Sequence, residues 1–219
     1  MAPRRAPLRR QRHGSEDPPL QTLLVLWWLV MGVRVIAVIG AHAVGRQFAR
    51  AAALAGYAVV FEDVSREMLE RGVSWIRDAL EEAVARGALS AALCAEALSR
   101  ITSASIVESA IREADLIIEA VPEELEMKLE LFTIFDRFAK PGAIFASTTL
   151  ALSVLDLSDV TICRERCVGM RFRDVTGNGS TVEIVRTKLT SEETLRACRE
   201  VGGRLAQRVL EVEDSKAAT

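Results

Sequence analysis

A glycine-rich loop between an apolar strand and a helix constrains this chain more than any other feature. The sequence VIGAHAVG, residues 38–45, follows an apolar, β-branched run and leads into a segment with apolar residues at helical spacing. A second apolar run, 57–61, is followed by Asp63, about 20 residues beyond the first glycine. Strand, glycine loop, helix, strand and acid in this order predict a βαβ unit that holds a dinucleotide pyrophosphate at the helix N-terminus.

His42 replaces the middle glycine of the usual Gly-x-Gly-x-x-Gly pattern. Glycine at this position lets the backbone approach the pyrophosphate, so an imidazole is expected to crowd that approach. An outward side chain would instead donate a hydrogen bond to phosphate. Two interpretations stay open: impaired but real cofactor binding, and a surface histidine on a loop that no longer binds well. The loop residues predicted to contact the cofactor are Gly40, Ala41, His42, Ala43, Val44 and Gly45.

Composition excludes several classes of protein. With 219 residues, 50% hydrophobic residues and a formal net charge of −2, the chain has ample material for one folded domain, with or without an appendage. It carries no basic excess that would indicate nucleic-acid binding. Its four cysteines show no paired CxxC spacing, which argues against a metal site and favours reduced thiols in a cytoplasmic protein.

The first thirty residues differ from the rest. Arginines crowd positions 1–12, and an apolar run occupies 23–33, as in a signal peptide. However, no small-residue cleavage site follows, and Arg34 ends the run well short of the ~20 residues that span a bilayer. We therefore expect no membrane span. Residues 1–30 are interpreted as an over-extended gene start before Met31, a disordered tail or a membrane-surface anchor, followed by a nucleotide-binding domain at 31–213 and a tail at 214–219.

Alternating patterns along the remaining chain predict the fold class. Helical periodicity after Asp63 predicts two helices, 65–86 and 90–98, that form a helical-hairpin arm. Further strands are predicted at 101–103, 115–120, 144–147, 167–172, 181–186 and 209–212, and further helices at 107–112, 123–138 and 191–206. Together these elements predict an α/β fold with a doubly wound, mainly parallel sheet of the Rossmann type.

Several segments together resemble the NAD-binding domain of the 3-hydroxyacyl-CoA dehydrogenases. They are VIAVIGAHAVG, the acid in VVFED, the helical arm, ADLIIEAVPEELEMKLELF, GAIFAST and TVEIV, and they cover about residues 33–212. The most specific is DLIIEAVPE, in which Lys128 follows Glu123 by five residues. The resemblance implies NAD as cofactor and oxidation of 3-hydroxyacyl-CoA to 3-oxoacyl-CoA in fatty acid metabolism.

The resemblance also assigns roles to matching positions. Asp63 would bind the adenosine ribose hydroxyls, which favours NAD over NADP; its alternative is an ordinary turn residue. Glu123 and Lys128 would lie at the nicotinamide half of the site, although they also fit a solvated helical pair. Thr148, where the family has an Asn, is a further cofactor-binding position. Arg86 falls where the family has a basic residue near the CoA phosphates, and at a helix end it also fits a dipole partner.

The catalytic positions depart from the family pattern. In the family, a His oriented by a Glu takes the hydroxyl proton, and a Ser holds the substrate oxygen. The Glu is retained as Glu183 in TVEIV, but the His position is Arg171 and the Ser position is Leu150. Arginine cannot accept a proton near neutral pH, and leucine has no hydroxyl. We expect Arg171 to form a static ion pair with Glu183.

Family members continue into a helical domain that encloses the acyl-CoA and forms the dimer, whereas this sequence ends in EVEDSKAAT. The resemblance therefore implies that the C-terminal helical domain is absent. Three functions remain open: an NAD-binding protein with impaired or lost catalysis, an active dehydrogenase completed by a partner chain that supplies the helical domain, and a remnant that binds nothing tightly.

Overall fold

One eight-stranded sheet organises residues 32–175 and 179–215, the parts of the chain that this computed structural model describes. The strands are β1 (Val35–Ile39), β2 (Ala58–Glu62), β3 (Ile101–Ala104), β4 (Leu116–Glu119), β5 (Ile144–Ser147), β6 (Cys167–Val175), β7 (Gly179–Arg186) and β8 (Arg208–Glu213). Their order is β3-β2-β1-β4-β5-β6-β7-β8, and every neighbouring pair is parallel except β6 and β7. The predicted doubly wound, mainly parallel sheet is confirmed.

Helices cover both faces of the sheet. The helices are α1 (Ala43–Leu54), α2 (Arg66–Ala85), α3 (Ala91–Ser99), α4 (Val107–Ile111), α5 (Leu125–Phe138), α6 (Val154–Ser158) and α7 (Glu192–Leu205). Helices α1, α2, α3 and α7 contribute to the core on one face, and α4, α5 and α6 to the core on the other. The predicted arm is the pair α2–α3, whose apolar residues pack towards α1.

The side chains of β1 point alternately to the two faces of the sheet, and both faces are buried, which explains why the strand is apolar throughout. Ile36 and Val38 point into the first core, whereas Ala37 and Ile39 point into the second. A central parallel strand is buried on both faces and therefore has no polar side to present to solvent. The apolar run that predicts β1 is therefore explained by the helices that pack on both faces of the strand.

The elements that the sequence did not predict are short. Helix α6 has five residues, and a single 3-10 turn covers Arg164–Arg166. Strand β6 also runs to Val175, beyond the predicted end at 172, because it pairs antiparallel with β7 as far as Gly179. A five-residue helix offers few positions at which periodicity can show: α4, of the same length, was predicted, whereas α6 was not.

The termini fall outside what the structure covers. The predicted extension 1–30 and residues 216–219 lie outside the described residues. Among residues 32–175 and 179–215, none of the helices combines the length and the hydrophobicity that a membrane span requires.

Two glycines allow α1 to approach the sheet closely. Gly40 has a φ of 105°, and a Cβ on it would lie 2.7 Å from the Ala120 carbonyl oxygen. A Cβ on Gly45 would lie 1.8 Å from the Gly40 carbonyl oxygen. Both contacts involve backbone atoms, which cannot swing away as a flexible side chain would. The loop geometry therefore depends on glycine at both positions.

Replacing Gly45 with Ala is expected to lower the free energy of unfolding by about 3 kcal/mol, because α1 must move away from the loop. Gly203→Ala is the matched control: this glycine lies inside α7, and its added Cβ would meet nothing within 4 Å. Gly203→Ala is expected to raise the free energy of unfolding by about 0.5–1 kcal/mol, because alanine has a higher helix propensity than glycine. Urea unfolding followed by circular dichroism measures both. Equal midpoints for wild type and Gly45→Ala would contradict the close approach.

Candidate functional site

The carboxyl ends of four parallel strands bring most of the predicted site residues to one edge of the sheet. The loop beginning at Gly40 follows β1, Asp63 follows β2, Glu123 comes after β4, and Thr148 follows β5. This is the edge at which doubly wound sheets bind ligands. The common direction of the strands, not sequence proximity, brings these side chains together.

The N-terminus of α1 is open to an anion. His42 is the N-cap residue, its side chain is exposed, and it forms no hydrogen bond that caps the helix. No acidic residue lies in the first turn. The first backbone N–H groups of a helix have no partner within it, and the helix dipole adds partial positive charge there. This end of the helix fits a diphosphate, and the imidazole points away from the core of the domain.

Asp63 connects the glycine loop to the next helix. Its Oδ2 accepts a hydrogen bond from the Ala41 N–H at 2.8 Å, and its Oδ1 accepts one from the Ser65 N–H at 2.8 Å. The residue is buried, with 7% of its surface exposed. Because a carboxylate oxygen can accept two hydrogen bonds, each oxygen keeps one acceptor position. Ribose binding by Asp63 stays a prediction, to which the structure adds a structural role that the sequence did not indicate.

Glu62 is a buried acid that the sequence reasoning missed. It is the last residue of β2, only 2% exposed, and within the described residues its Oε1 has no hydrogen-bond partner. Burial raises its pKa to about 7, and the nearby charges of Asp63 and Glu108 add to that shift. An acid directly before another acid at a strand end was the available signal.

Lys128 forms a buried ion pair. Its Nζ lies 2.6 Å from Glu119 Oε1, with the Val121 carbonyl oxygen at 3.2 Å and Glu123 Oε2 at 3.6 Å. The side chains of Lys128 and Glu119 are both fully buried. The second Glu119 oxygen, Oε2, accepts a hydrogen bond from Ser147 Oγ at 2.6 Å. Lys128 therefore holds Glu119 and Glu123 in place, and its direct contact with a cofactor remains a prediction.

Glu123 fixes the loop after β5. One carboxylate oxygen accepts hydrogen bonds from the Thr149 hydroxyl, from the Leu150 N–H at 3.0 Å and from the Ala151 N–H at 2.7 Å. Burial by itself raises the pKa of Glu123, but these hydrogen bonds and the charge of Lys128 outweigh it, and the pKa is lowered. A charged carboxylate therefore organises this loop. Its neighbour Thr148 is half-buried, and the side chain of Leu150 is mostly exposed.

The expected ion pair between Arg171 and Glu183 is confirmed. The two residues are directly opposite each other in the antiparallel pairing of β6 and β7, and Nη1 lies 2.7 Å from Oε1. Arg171 Nε also donates to the Thr149 carbonyl oxygen at 2.7 Å. The second oxygen of Glu183 lies 3.5 Å from Arg173 Nε. Two guanidinium groups thus face one carboxylate.

These contacts join into one continuous polar network across four strands and a helix. It runs from the buried Glu119–Lys128 pair through Glu123 and Thr149 to Arg171 and Glu183. The sequence reasoning identified its charged residues Glu123, Lys128, Arg171 and Glu183, but it missed Glu119, Ser147 and Thr149. The signal for Glu119 was an acid that closes an otherwise apolar buried run, LIIE. Such an acid needs a buried partner.

Arg86 is not brought to this edge. It caps the far end of α2, about 30 Å along the helix from its N-terminus, and forms an exposed pair with Glu82 at 2.9 Å. Its predicted contact with CoA phosphates therefore concerns the tip of the arm and not the sheet edge.

The cysteines show no features of a metal or catalytic centre. All four are free and buried. Burial raises the pKa of Cys163 to about 11 and that of Cys167 to about 12, so both stay protonated at neutral pH. Among residues 32–175 and 179–215, no group of three His, Cys, Asp or Glu side chains could hold a metal ion.

Comparison with known proteins identifies the family. The sequence profile of the family described as "3-hydroxyacyl-CoA dehydrogenase, NAD binding domain" matches residues 35–215. The chain belongs to this family. NAD is therefore its family cofactor, and the open N-terminus of α1 and the spare acceptor positions of Asp63 fit that group.

Relatives of this NAD-binding family align over most of the chain. A 3-hydroxybutyryl-CoA dehydrogenase of Bradyrhizobium diazoefficiens is 33% identical over 83% of this chain and 62% of its own length. A probable 3-hydroxybutyryl-CoA dehydrogenase of Bacillus subtilis is 31% identical, over 84% and 64%. The crystal structure of 3-hydroxybutyryl-CoA dehydrogenase from Escherichia coli K12 superposes with a TM-score of 0.80 at 28% identity, covering 84% of this chain and 39% of that one. The chain thus spans less than two thirds of these relatives.

Glu62 predicts a pH dependence of stability. Its pKa is raised in the folded state, so the folded protein holds a proton that the unfolded chain has already lost above about pH 4.5. Its contribution is fully present below about pH 4.5 and is lost as the pH rises to about 7. Replacing Glu62 with Gln is expected to stabilise the protein at pH 8 relative to wild type. Thermal unfolding at pH 5 and pH 8 measures this.

Glu108→Gln serves as the control, since Glu108 is one of the neighbouring charges but keeps more solvent contact. It should shift the unfolding temperature at pH 8 less than Glu62→Gln does. If wild type and Glu62→Gln lose the same stability between pH 5 and pH 8, Glu62 does not titrate in this range.

Lys128→Met is expected to lower the free energy of unfolding by about 3–5 kcal/mol, because it leaves Glu119 buried without its countercharge. Adding Glu119→Gln should recover a large part of that loss, since the remaining buried group is neutral. Denaturant unfolding of the two single variants and the double variant gives the coupling between the residues. Additive losses would show that the pair is not coupled.

Proposed function

We propose that this chain is an NAD-binding protein in which the hydroxyacyl-CoA dehydrogenase reaction is lost. The observation that carries the proposal is the bond between Arg171 and Glu183. It places a permanent cation at the position where the family resemblance requires a proton acceptor. Arginine stays protonated throughout the physiological range.

The binding half of the proposal rests on the sheet edge. NAD would place its pyrophosphate at the N-terminus of α1, among the loop residues Gly40 to Gly45, where the first-turn N–H groups are open. Asp63 would accept the ribose hydroxyls with the positions that its two backbone bonds leave. Glu123 and Thr148 would lie at the nicotinamide end, with Lys128 as the buried support of Glu123.

The loss of catalysis rests on the groups that surround the former catalytic position. Both oxygens of Glu183 face guanidinium groups, at 2.7 and 3.5 Å, and are therefore poorly placed to take a proton. The nearby Thr149 hydroxyl donates to Glu123. Leu150 offers only an exposed aliphatic side chain. None of these residues supplies the general base that removal of a hydroxyl proton needs.

Titration with NADH, followed by the change in nicotinamide fluorescence, tests the binding half. We expect saturable binding, and His42→Gly should strengthen it by about 1 kcal/mol, roughly fivefold, because the backbone approach to the pyrophosphate is restored. Gly203→Ala, far from the loop, should bind NADH as wild type does. No saturable signal at millimolar NADH would favour the non-binding remnant and overturn the proposal.

Incubation with NAD and 3-hydroxybutyryl-CoA tests the other half. The expected result is no formation of NADH at 340 nm, because no group at the Arg171 position takes the hydroxyl proton. Turnover by the unmodified chain would overturn this half. It would favour an active dehydrogenase, and turnover only after addition of a second protein would favour completion by a partner chain.

A further inference from the structure

An open groove of about 500 Å³ lies between α2 and the carboxyl end of β3. Its apolar lining consists of Leu69, Val73 and Ala104. This volume falls within the range of small-molecule sites, about 300–1,000 Å³. Since β3 is the outermost strand of the sheet, the groove opens at the side of the molecule and not over the glycine loop.

The charged side chains of the groove leave one cation uncompensated. Arg66 pairs with Glu70 through a 2.8 Å contact between Nε and Oε1, so their charges offset each other. Arg77, two turns beyond Glu70 on the same side of α2, forms no ion pair within the described part of the chain. The groove therefore carries a net charge of about +1, located at Arg77.

Three serines line the same groove as Arg77. Ser74 lies one turn before Arg77 on α2, and Ser103 and Ser105 line the groove from the β3 side. All three serines are exposed, and within residues 32–175 and 179–215 none of their hydroxyls bonds to another part of the chain. A guanidinium and several hydroxyl donors in one groove suit a phosphate group, because each phosphate oxygen accepts more than one hydrogen bond.

We propose that this groove binds a phosphate monoester with a flat or apolar body. The phosphate group pairs with Arg77 and accepts hydrogen bonds from Ser74, Ser103 and Ser105. The body packs on Leu69 and Val73. This chemistry explains the combination of one free cation, hydroxyl donors and an aliphatic surface in a single groove.

The groove is separate from the proposed NAD site. The residues that line it include neither the glycine loop nor Asp63 or Glu123. Arg66 is the lining residue nearest in sequence to Asp63, and its charge is taken up by Glu70. Binding of a ligand in the groove therefore depends on residues of α2 and of the end of β3. It does not require that the chain binds NAD.

Phenyl phosphate is the probe, because it carries both the phosphate and a flat apolar body. Isothermal titration calorimetry should give saturable binding to the full chain, and phenol and inorganic phosphate should each bind at least tenfold more weakly. Arg77→Ala should weaken phenyl phosphate binding at least tenfold, and Ser105→Ala severalfold. Added NADH should leave the affinity unchanged, which distinguishes this site from the NAD site.

Arg71→Ala is the matched control, because Arg71 lies on the same helix but outside the groove and pairs with Glu67 at 2.6 Å. It removes the same charge and should bind phenyl phosphate as wild type does. If Arg71→Ala weakens phenyl phosphate binding as much as Arg77→Ala does, the effect comes from the net charge of the protein and not from the groove. That result would overturn the proposal. So would the absence of saturable binding, or competition between NADH and phenyl phosphate.

Discussion

The buried pair of Glu119 and Lys128 is the interaction on which the arrangement of the site depends. It fixes the end of β4 to α5, and through Ser147 it also fixes the end of β5. An isolated charge at that depth would be very unfavourable, so each partner requires the other. Because Lys128 also faces Glu123, the same pair sets where the next carboxylate lies and, through it, the path of the loop after β5.

Arg171 connects the loop after β5 to strands β6 and β7. One of its nitrogen atoms bonds to the loop after β5, and another bonds to β7. A neutral imidazole has only one donor and one acceptor nitrogen, whereas a guanidinium has five N–H donors and no acceptor. Compared with the histidine that the family resemblance predicts at this position, Arg171 holds its neighbours but offers no atom that accepts a proton. The side chain of Arg171 is thus held on two sides, at the position where we propose that proton transfer has been lost.

The sequence predicted the fold well because the determining signals are local. The apolar run before Gly40, the spacing to Asp63 and the periodicity of α2 each lie within one element and its boundary. The residues of the polar network were harder to predict because their partners are distant: Ser147 lies 28 residues from Glu119, and Thr149 lies 26 residues from Glu123. Only the pairing of strands brings them together. The Arg171–Glu183 pair was predictable, since a family resemblance had already placed both positions in one site.

The two hydrogen bonds of Asp63 serve the fold as well as the site. Its carboxylate ties the glycine loop to the start of α2 through contacts within the chain itself. A substitution at this acid therefore removes two hydrogen bonds of the fold in addition to any contact with a ligand. Gly45 likewise serves the fold, through its contact with the Gly40 carbonyl. The nucleotide-binding signature of this chain is therefore also a signature of its fold, because the same residues hold the loop and the helices together.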